Sequence, residues 1–194
     1  ATGRIMMSGS LRSIVVGVPV GIAQGTKELF DWVANPFVTV FYILPPAGFV
    51  PLFIIWFGIG TFSKILLTFV FGVIPVVINV REGVKNTEDE YFEVGSSFGA
   101  SRRQTFRFIL LPGTIPYIVT GIRHAIARTI IGAIVAEIFL SAVGIGGIIL
   151  ESTSLFNITQ TIAVLIVLAL ASLVLTLSVS YAERLLFPWR VEDV

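Results

Sequence analysis

Apolar runs long enough to cross a lipid bilayer as helices dominate this sequence. Hydrophobic residues make up 55% of the 194 residues and charged residues only 13%, whereas a soluble domain has about 25% charged residues. A helix of about 20 mainly apolar residues spans the hydrocarbon core, and the sequence offers about five such segments. These features predict an all-α integral membrane protein, a polytopic helical bundle with about five spans.

The remaining composition excludes several classes of site. The net charge is +1, which gives no electrostatic indication of a nucleic-acid partner. The sequence has no cysteine and a single histidine, His124. A disulfide framework, a thiolate or multi-histidine metal site and a cysteine nucleophile are therefore excluded. No phosphate-binding loop or hydrolytic triad is recognisable, so we expect a chain that is not an enzyme and binds no cofactor or metal itself.

The predicted spans are separated by polar or glycine-rich connections. Residues 24–36 are predicted to form an aqueous connection, and residues 141–154 are too short and glycine-rich to span. The first span repeats small residues every four positions, which permits close helix packing in lipid. It also carries Arg12, which either meets a polar interior or reaches the interface because the span is offset. The predicted spans are residues 5–23, 37–58, 62–80, 117–140 and 158–181.

Prolines interrupt the second predicted span. Pro45 and Pro46 remove backbone donors and break the helix, and such backbone persists in a membrane only where protein or a water-filled cavity surrounds it. One interpretation is a discontinuous helix that lines a substrate path, with Tyr42 as a polar wall residue. The alternative is a structural kink without substrate contact. Asn79, near the end of the third span, is a second candidate for a buried polar residue.

The fourth predicted span carries several ionisable residues. His124 and Arg128 share one face of a helix. Arg128 and Glu137 lie deep enough to require partners or water. His124 is either a path residue or a hydrogen-bonded packing residue, and Glu137 is either a path residue or half of an ion pair with an arginine on another span.

The most polar and basic long stretch is EVGSSFGASRRQTFRFILLP, residues 93–112. It predicts one or two short amphipathic helices outside the bilayer, with Gly99 at a bend because a Cβ would obstruct either a turn or a close contact. Ser96 or Ser97 is the predicted helix cap. Pro112 is predicted to stop or turn the helix, and Gly113 and Pro116 to form a second break.

The spacing of Glu93, Gly99, Ile109, Leu111 and Pro112 resembles the EAA loop of ABC-importer permease subunits. One departure is the pair Val94-Gly95, where the family has two alanines. Within these permeases, the runs PLFIIWFGIG, FGASRRQTFRFILLPGTIPYIVTGIR and GIGG are most similar to the nitrate, sulfonate, taurine and bicarbonate group. The alternative for the loop alone is a solvated amphipathic segment of another membrane protein.

This resemblance implies a type I importer permease fold, in which residues 141–154 form a re-entrant or extracytoplasmic turn. The chain would be one transmembrane domain over residues 1–194, with a coupling loop at residues 82–116, and an N-terminal span would be missing because the family usually has six. The implied ATPase-coupling residues are Glu93, Gly95, Gly99, Ala100, Ser101, Arg102, Arg103, Phe106, Leu111 and Pro112. The candidates for the translocation path are Tyr42, Pro45, Pro46, Asn79, His124, Arg128 and Glu137.

The resemblance also implies partners. These are two cytoplasmic ATPase subunits that hold ATP and Mg²⁺, a second permease copy and an extracytoplasmic substrate-binding protein. The substrate would be a small anion or small organic solute. Lysine and arginine bias places the coupling loop and the C-terminus in the cytoplasm of a bacterial inner membrane. The rivals are an ATPase-independent channel or ion-coupled carrier, which would favour internal repeats and paired intramembrane carboxylates, and a scaffold protein.

Overall fold

The structure, a computed structural model, describes residues 2–140 and 144–186. This part of the chain is helical apart from short connections, which confirms the all-α fold class. A 3-10 turn (Pro46–Phe49) precedes α3, and a π-helical turn (Phe106–Leu110) joins α6 to α7. The helices are α1 (Thr2–Thr26), α2 (Glu28–Ile43), α3 (Val50–Phe57), α4 (Thr61–Lys85), α5 (Asp89–Ser97), α6 (Arg102–Thr105), α7 (Leu111–Leu140), α8 (Ile145–Ser154) and α9 (Ile158–Leu186).

Four helical segments of the described chain are long and apolar enough to cross a membrane, and a fifth span is formed if α2 and α3 are taken together. The axes of these two helices differ by 103°. The break contains Pro45 and Pro46, where the missing backbone donors prevent a continuous helix. The described chain therefore has four spans, or the five predicted from hydropathy when the bent pair is counted as one span.

Small residues allow α1 to lie directly against α4. A Cβ built on Gly9 would lie 2.6 Å from Cγ2 of Thr68, and one built on Gly25 would lie 2.5 Å from Cβ of Val84. Residue numbers rise together along the contact, so the two helices run parallel. Because lipid offers no hydrophobic drive for helix association, this close approach is itself the main source of attraction.

Helix α7 packs antiparallel on another side of α4. Gly132 lies against Phe71, whereas Gly121 lies against Val76. Helix α4 is thus the centre of the bundle. By contrast, Arg12 lies on the exposed side of α1, so it does not face the interior of this chain. No side chain of the span at residues 158–178 in α9 is buried, as expected for a face that meets lipid or another subunit.

The connection predicted at residues 24–36 is much shorter in the structure, which places most of these residues in helices. Helix α1 continues to Thr26 and α2 begins at Glu28, so Lys27 alone separates them. Gln24 is fully buried and Asp31 is 7% exposed. The polar composition suggested a loop, but Asp31 is instead neutralised by basic residues of α4, so it can remain in a packed helix.

The predicted stop at Pro112 and the break at Pro116 are also wrong. Pro112 is the second residue of α7 and directly follows the π-helical turn and Leu111. The π-helical turn just before it pairs the N–H of Leu111 with the carbonyl of Phe106, so the helix continues from α6 into α7. Pro116 lies inside α7 without ending it.

The cap of the second short helix lies later than predicted. The backbone N–H of Ser101 donates to Oε1 of Gln104 at 2.8 Å, which forms one half of a capping box. Ser96 and Ser97 lie instead in the last turn of α5, where both hydroxyls donate to the carbonyl of Glu93.

Candidate functional site

A cavity of about 380 Å³ opens between α2, α4 and α7. Its walls combine apolar side chains with four polar ones, and no carboxylate lines it. The four polar residues are all candidates from the sequence, and the structure brings them together although they come from three helices. The lining residues are Tyr42, Pro75, Ile78, Asn79, His124, Ala127, Arg128 and Ile131.

Arg128 supplies the positive charge of this cavity. Its Cζ atom lies 5.1 Å from the ring centroid of Tyr42, within the range of a cation–π interaction. The antiparallel contacts of α7 place Arg128 level with the middle of α4, between the packing of Gly132 on Phe71 and that of Gly121 farther along. A cation at this depth needs water, an anion or a polar partner.

His124 and Asn79 form the second polar pair. Nδ2 of Asn79 donates to the carbonyl oxygen of Pro75 at 2.7 Å and lies 3.3 Å from Nδ1 of His124. His124 is exposed to the open cavity, one helical turn before Arg128 on the same face of α7.

The other path candidates lie away from this lining. Pro45 precedes the 3-10 turn and Pro46 begins it, so both shape the break between α2 and α3, while the cavity wall itself is formed by Tyr42.

Glu137 is fully buried between three helices. Its Oε1 accepts a hydrogen bond from the hydroxyl of Thr2 at 2.7 Å, and its Oε2 accepts one from the N–H of Gly146 at 3.0 Å. A Cβ on Gly144 would lie 2.4 Å from Oε1, so glycine is required there. Because the two carboxylate oxygens bind a hydroxyl and a backbone N–H, the predicted ion pair of Glu137 with an arginine is wrong. The carboxylate instead holds the N-terminus of α8, a helix where a turn was expected, although residues 141–143 lie outside the described chain.

Helices α5 and α6 with the π-helical turn, residues 89–110, are called here the coupling segment. Gly99 has φ +71° with no atom within 4 Å of a built Cβ. The turn, rather than a close contact within the chain, is therefore the reason for glycine. Gly95 is tightly packed, because its Cβ would lie 2.7 Å from Cδ1 of Ile109. The N–H of Ala100 donates to the carbonyl of Gly95 at 2.9 Å and closes the bend.

The outer surface of the coupling segment is apolar and basic. Phe98 is 88% exposed and Phe108 is 69% exposed, so these two side chains do not pack against this chain, whereas Ile109 lies against Gly95. Of the predicted coupling residues, Gly95, Ala100 and Leu111 are half-buried. The exposed ones are Glu93, Gly99, Ser101, Arg102, Arg103, Phe106 and Pro112.

A charged cluster at the start of α2 was missed from the sequence. The carboxylate of Asp31 accepts hydrogen bonds from Nε and Nη2 of Arg81, the latter at 2.8 Å, and from Nζ of Lys85. These contacts fasten the first turn of α2 to the last turns of α4. One signal was available, because Arg81 and Lys85 are four residues apart and share a helix face that suits a single carboxylate.

The geometry can now be compared with known proteins. The family model described as "Binding-protein-dependent transport system inner membrane component" matches residues 14–191. The taurine transport system permease protein TauC of Escherichia coli is 32% identical over 189 residues, covering 97% of this chain and 68% of TauC. The bicarbonate transport system permease protein CmpB of Synechocystis is 32% identical over 187 residues, covering 96% and 66% of the two chains.

A solved structure supports the same fold. The crystal structure of an amino acid ABC transporter with histidines superposes with a TM-score of 0.72 at 16% identity, covering 97% of this chain and 90% of that chain.

The nitrate import permease protein NrtB of Leptolyngbya laminosa is 28% identical over 93% of this chain and 64% of its own length. Family members are inner-membrane components that work with a substrate-binding protein and an ATPase. This chain belongs to the binding-protein-dependent transport system inner membrane component family and is a multi-pass permease subunit of an ABC importer.

Proposed function

We propose that the cavity between α2, α4 and α7 forms part of the path for a small anion or small organic solute, and that the coupling segment transmits ATPase movement to it. The observation that carries this proposal is the meeting of Tyr42, Asn79, His124 and Arg128 in one cavity level with the middle of α4. Named relatives transport taurine, bicarbonate and nitrate, which supports a solute of this kind.

The shape of the second span supports the path. Irregular backbone at membrane depth is stable where it lines a cavity, and the break at Pro45 follows directly after the helix that carries Tyr42. The cavity of about 380 Å³ falls in the usual range for small-molecule sites, about 300–1,000 Å³. We propose that the break allows α2, which forms part of the cavity wall, to move separately from α3.

The surface of the coupling segment supports docking to another protein. Contiguous exposed apolar side chains on one segment are typical of interaction sites. Phe98 and Phe108 would fill a groove on the ATPase, while Arg102 and Arg103 would meet acidic groups there. ATP and Mg²⁺ would be held by the ATPase subunits, and this chain would hydrolyse nothing and bind no cofactor.

We infer the orientation of the bundle in the membrane from the end of the helices that carries most of the lysine and arginine residues. Because α1 and α4 run parallel, Lys27 lies at the same end as Lys85 and the coupling segment with its arginines. Lys64, in the first turn of α4, lies at the opposite end. We propose that the basic end faces the cytoplasm, that two permease copies assemble with two ATPases, and that the binding protein docks at the other end.

Two glycines provide a matched test of coupling. Gly99 and Gly58 have φ values of +71° and +69°, and neither has an atom within 4 Å of a built Cβ. A tryptophan therefore causes similar backbone strain at both sites. We expect Gly99→Trp to insert in the membrane but to lose ATPase binding and uptake, whereas Gly58→Trp retains both. The measurement is the amount of ATPase that copurifies with each permease from native membranes. Equal ATPase recovery and uptake for Gly99→Trp and wild type would contradict the coupling assignment.

A further inference from the structure

Helix α2 lies between two breaks in the helical backbone. Lys27, directly before its first residue, is extended with φ −117° and ψ 103°, and Leu44, directly after its last residue, is extended with φ −62° and ψ 132°. All sixteen residues of α2 are within the described chain, and Asp31 is the one buried residue among them. A helix bounded by such breaks can turn as a rigid body, because the flanking residues absorb the change in φ and ψ. The position of α2 therefore depends on the few side chains that fasten it to its neighbours.

The first fastening point is Asp31, in the first turn of α2. Its carboxylate accepts hydrogen bonds from Nε and Nη2 of Arg81, the latter at 2.8 Å, and two parallel bonds of this kind fix both the distance and the angle of the contact. The remaining nitrogen, Nη1, donates to Oε1 of Glu82 at 2.6 Å and so holds the guanidinium in this orientation. Nζ of Lys85 supplies a further contact to the carboxylate. The side chains of Asp31 and Arg81 are only 10% and 16% exposed, so water competes little for this pair.

The basic partners of Asp31 lie where α4 meets the coupling segment. Lys85 is the last residue of α4, and residues 86–88 alone separate it from the coupling segment. Within this connection, the hydroxyl of Thr87 donates to the carbonyl oxygen of Gly83 at 3.0 Å, which ties the connection to the last turn of α4. A displacement of the coupling segment therefore acts on the same turns of α4 that hold α2.

The second fastening point of α2 lies in the cavity wall. The ring of Tyr42, in the last turn of α2, has its centroid 5.1 Å from Cζ of Arg128. At about 1.5 Å per residue, Tyr42 and Asp31 lie about 16 Å apart along the axis of α2. Pro36 lies between them without ending the helix. One helix thus joins the base of the coupling segment to a wall of the cavity.

We propose that Asp31, Arg81 and Lys85 form a link that carries movement of the coupling segment to α2, and through α2 to the cavity wall at Tyr42. These three residues position α2 and contact no solute. Helix α7 continues directly from the coupling segment and needs no such link, whereas α2 has no backbone continuity with that segment. The inference rests on the proposed function, because it requires that the coupling segment binds an ATPase and that the cavity is the path.

The test measures how strongly ATP changes access to the cavity. Ala127 of α7 lines the same cavity as Tyr42, so movement of α2 changes the access of reagents to it. Because the sequence has no cysteine, Ala127→Cys supplies a single reporter thiol on this chain. The permease–ATPase complex in proteoliposomes is treated with a membrane-impermeant maleimide, and the rate of permease labelling is measured with and without ATP and Mg²⁺. We expect Asp31→Asn to retain ATPase binding and ATP hydrolysis but to move the ratio of the two rates toward one.

Glu28→Gln is the matched control, because Glu28 lies exposed in the same first turn of α2 and its substitution removes the same charge. It should leave the ratio of rates at the value of Ala127→Cys alone. A charge exchange tests the contact itself. Asp31→Lys should reduce the ATP response, and Lys85→Asp added to it should restore the response, because opposite charges again face each other across α2 and α4.

The outcomes separate the link from the path. An ATP response that is present in Ala127→Cys and equally large with Asp31→Asn would overturn the link and leave the importer function standing. A labelling rate that ATP does not change in Ala127→Cys alone would overturn the path and the link together. If Asp31→Asn does not assemble with the ATPase, Lys85→Gln decides, since its side chain is 41% exposed and its substitution removes one contact of the link; an unchanged ratio in that variant would overturn the proposal.

Discussion

Replacement of Glu137 distinguishes a carboxylate that holds helices from one that handles solute. The side chain is fully buried and accepts hydrogen bonds from the hydroxyl of Thr2 and the N–H of Gly146, at 2.7 and 3.0 Å. Glu137→Leu retains most of the volume but leaves both donors unpaired. Each buried donor left without a partner costs about 1–3 kcal/mol, so we expect a loss of about 4 kcal/mol in the free energy of unfolding.

Glu137→Gln should behave differently. Its amide oxygen can still accept from the N–H of Gly146, and its nitrogen can donate to the hydroxyl of Thr2. The main loss is the negative charge at the N-terminus of α8, worth about 0.3–1 kcal/mol. The unfolding midpoint in lipid nanodiscs measures both variants. We expect Glu137→Leu to lower it by about 10 °C, if each kcal/mol shifts it by about 2–4 °C, and Glu137→Gln by about 2 °C.

Glu151 supplies the control, because it lies exposed on the same helix α8, and Glu151→Gln should leave the midpoint unchanged. ATP-driven uptake by Glu137→Gln should remain close to wild type after correction for the amount of folded protein. The reasoning is refuted if Glu137→Leu unfolds at the wild-type midpoint. It is equally refuted if Glu137→Gln is as stable as wild type but no longer transports, which would return Glu137 to the path.

Further changes test the packing and the charged cluster. Gly21→Val places a Cβ 2.7 Å from Cβ of Val80 and should lower the free energy of unfolding by about 1–3 kcal/mol. Gly3→Val is the control and should be neutral, because no atom lies within 4 Å of a Cβ built there. Equal unfolding midpoints for the two variants would contradict the parallel contact between α1 and α4. Asp31→Asn removes the carboxylate shared by two basic residues of α4 and should cost about 2 kcal/mol, between the values for exposed and buried pairs. Asp89→Asn, exposed in α5, is its control, and an equal effect of both would argue against the cluster.

Hydropathy and helix periodicity were sufficient to predict the spans and part of the candidate site. The small residues of α1 do face α4, Gly99 does occupy a turn, and His124 and Arg128 do share one face of α7. These features depend on the spacing between residues that are close together in the chain, which can be read directly from the sequence. The lining of the cavity also follows from the break at Pro45, since it ends α2 just beyond Tyr42.

Long-range pairing explains the features that could not be predicted. The acidic Asp31 is typical of a loop until Arg81 and Lys85, 50 and 54 residues later, neutralise it. Pro112 indicates a helix end unless the preceding turn is π-helical. Glu137 has an arginine as its expected partner, but it meets a hydroxyl and a backbone N–H instead.

Cysteine accessibility at the cavity wall is the most direct test of the path. The sequence contains no cysteine, so single cysteines can be introduced at Ala127, in the cavity wall, and at Val15 and Leu170, exposed on α1 and α9. The complex in proteoliposomes is treated with a membrane-impermeant thiol reagent, with and without ATP. We expect Ala127→Cys to react, at a rate that ATP changes, whereas Val15→Cys and Leu170→Cys remain unmodified. An unreactive Ala127→Cys, together with modification of either of the other two, would contradict the assignment of this cavity as the path.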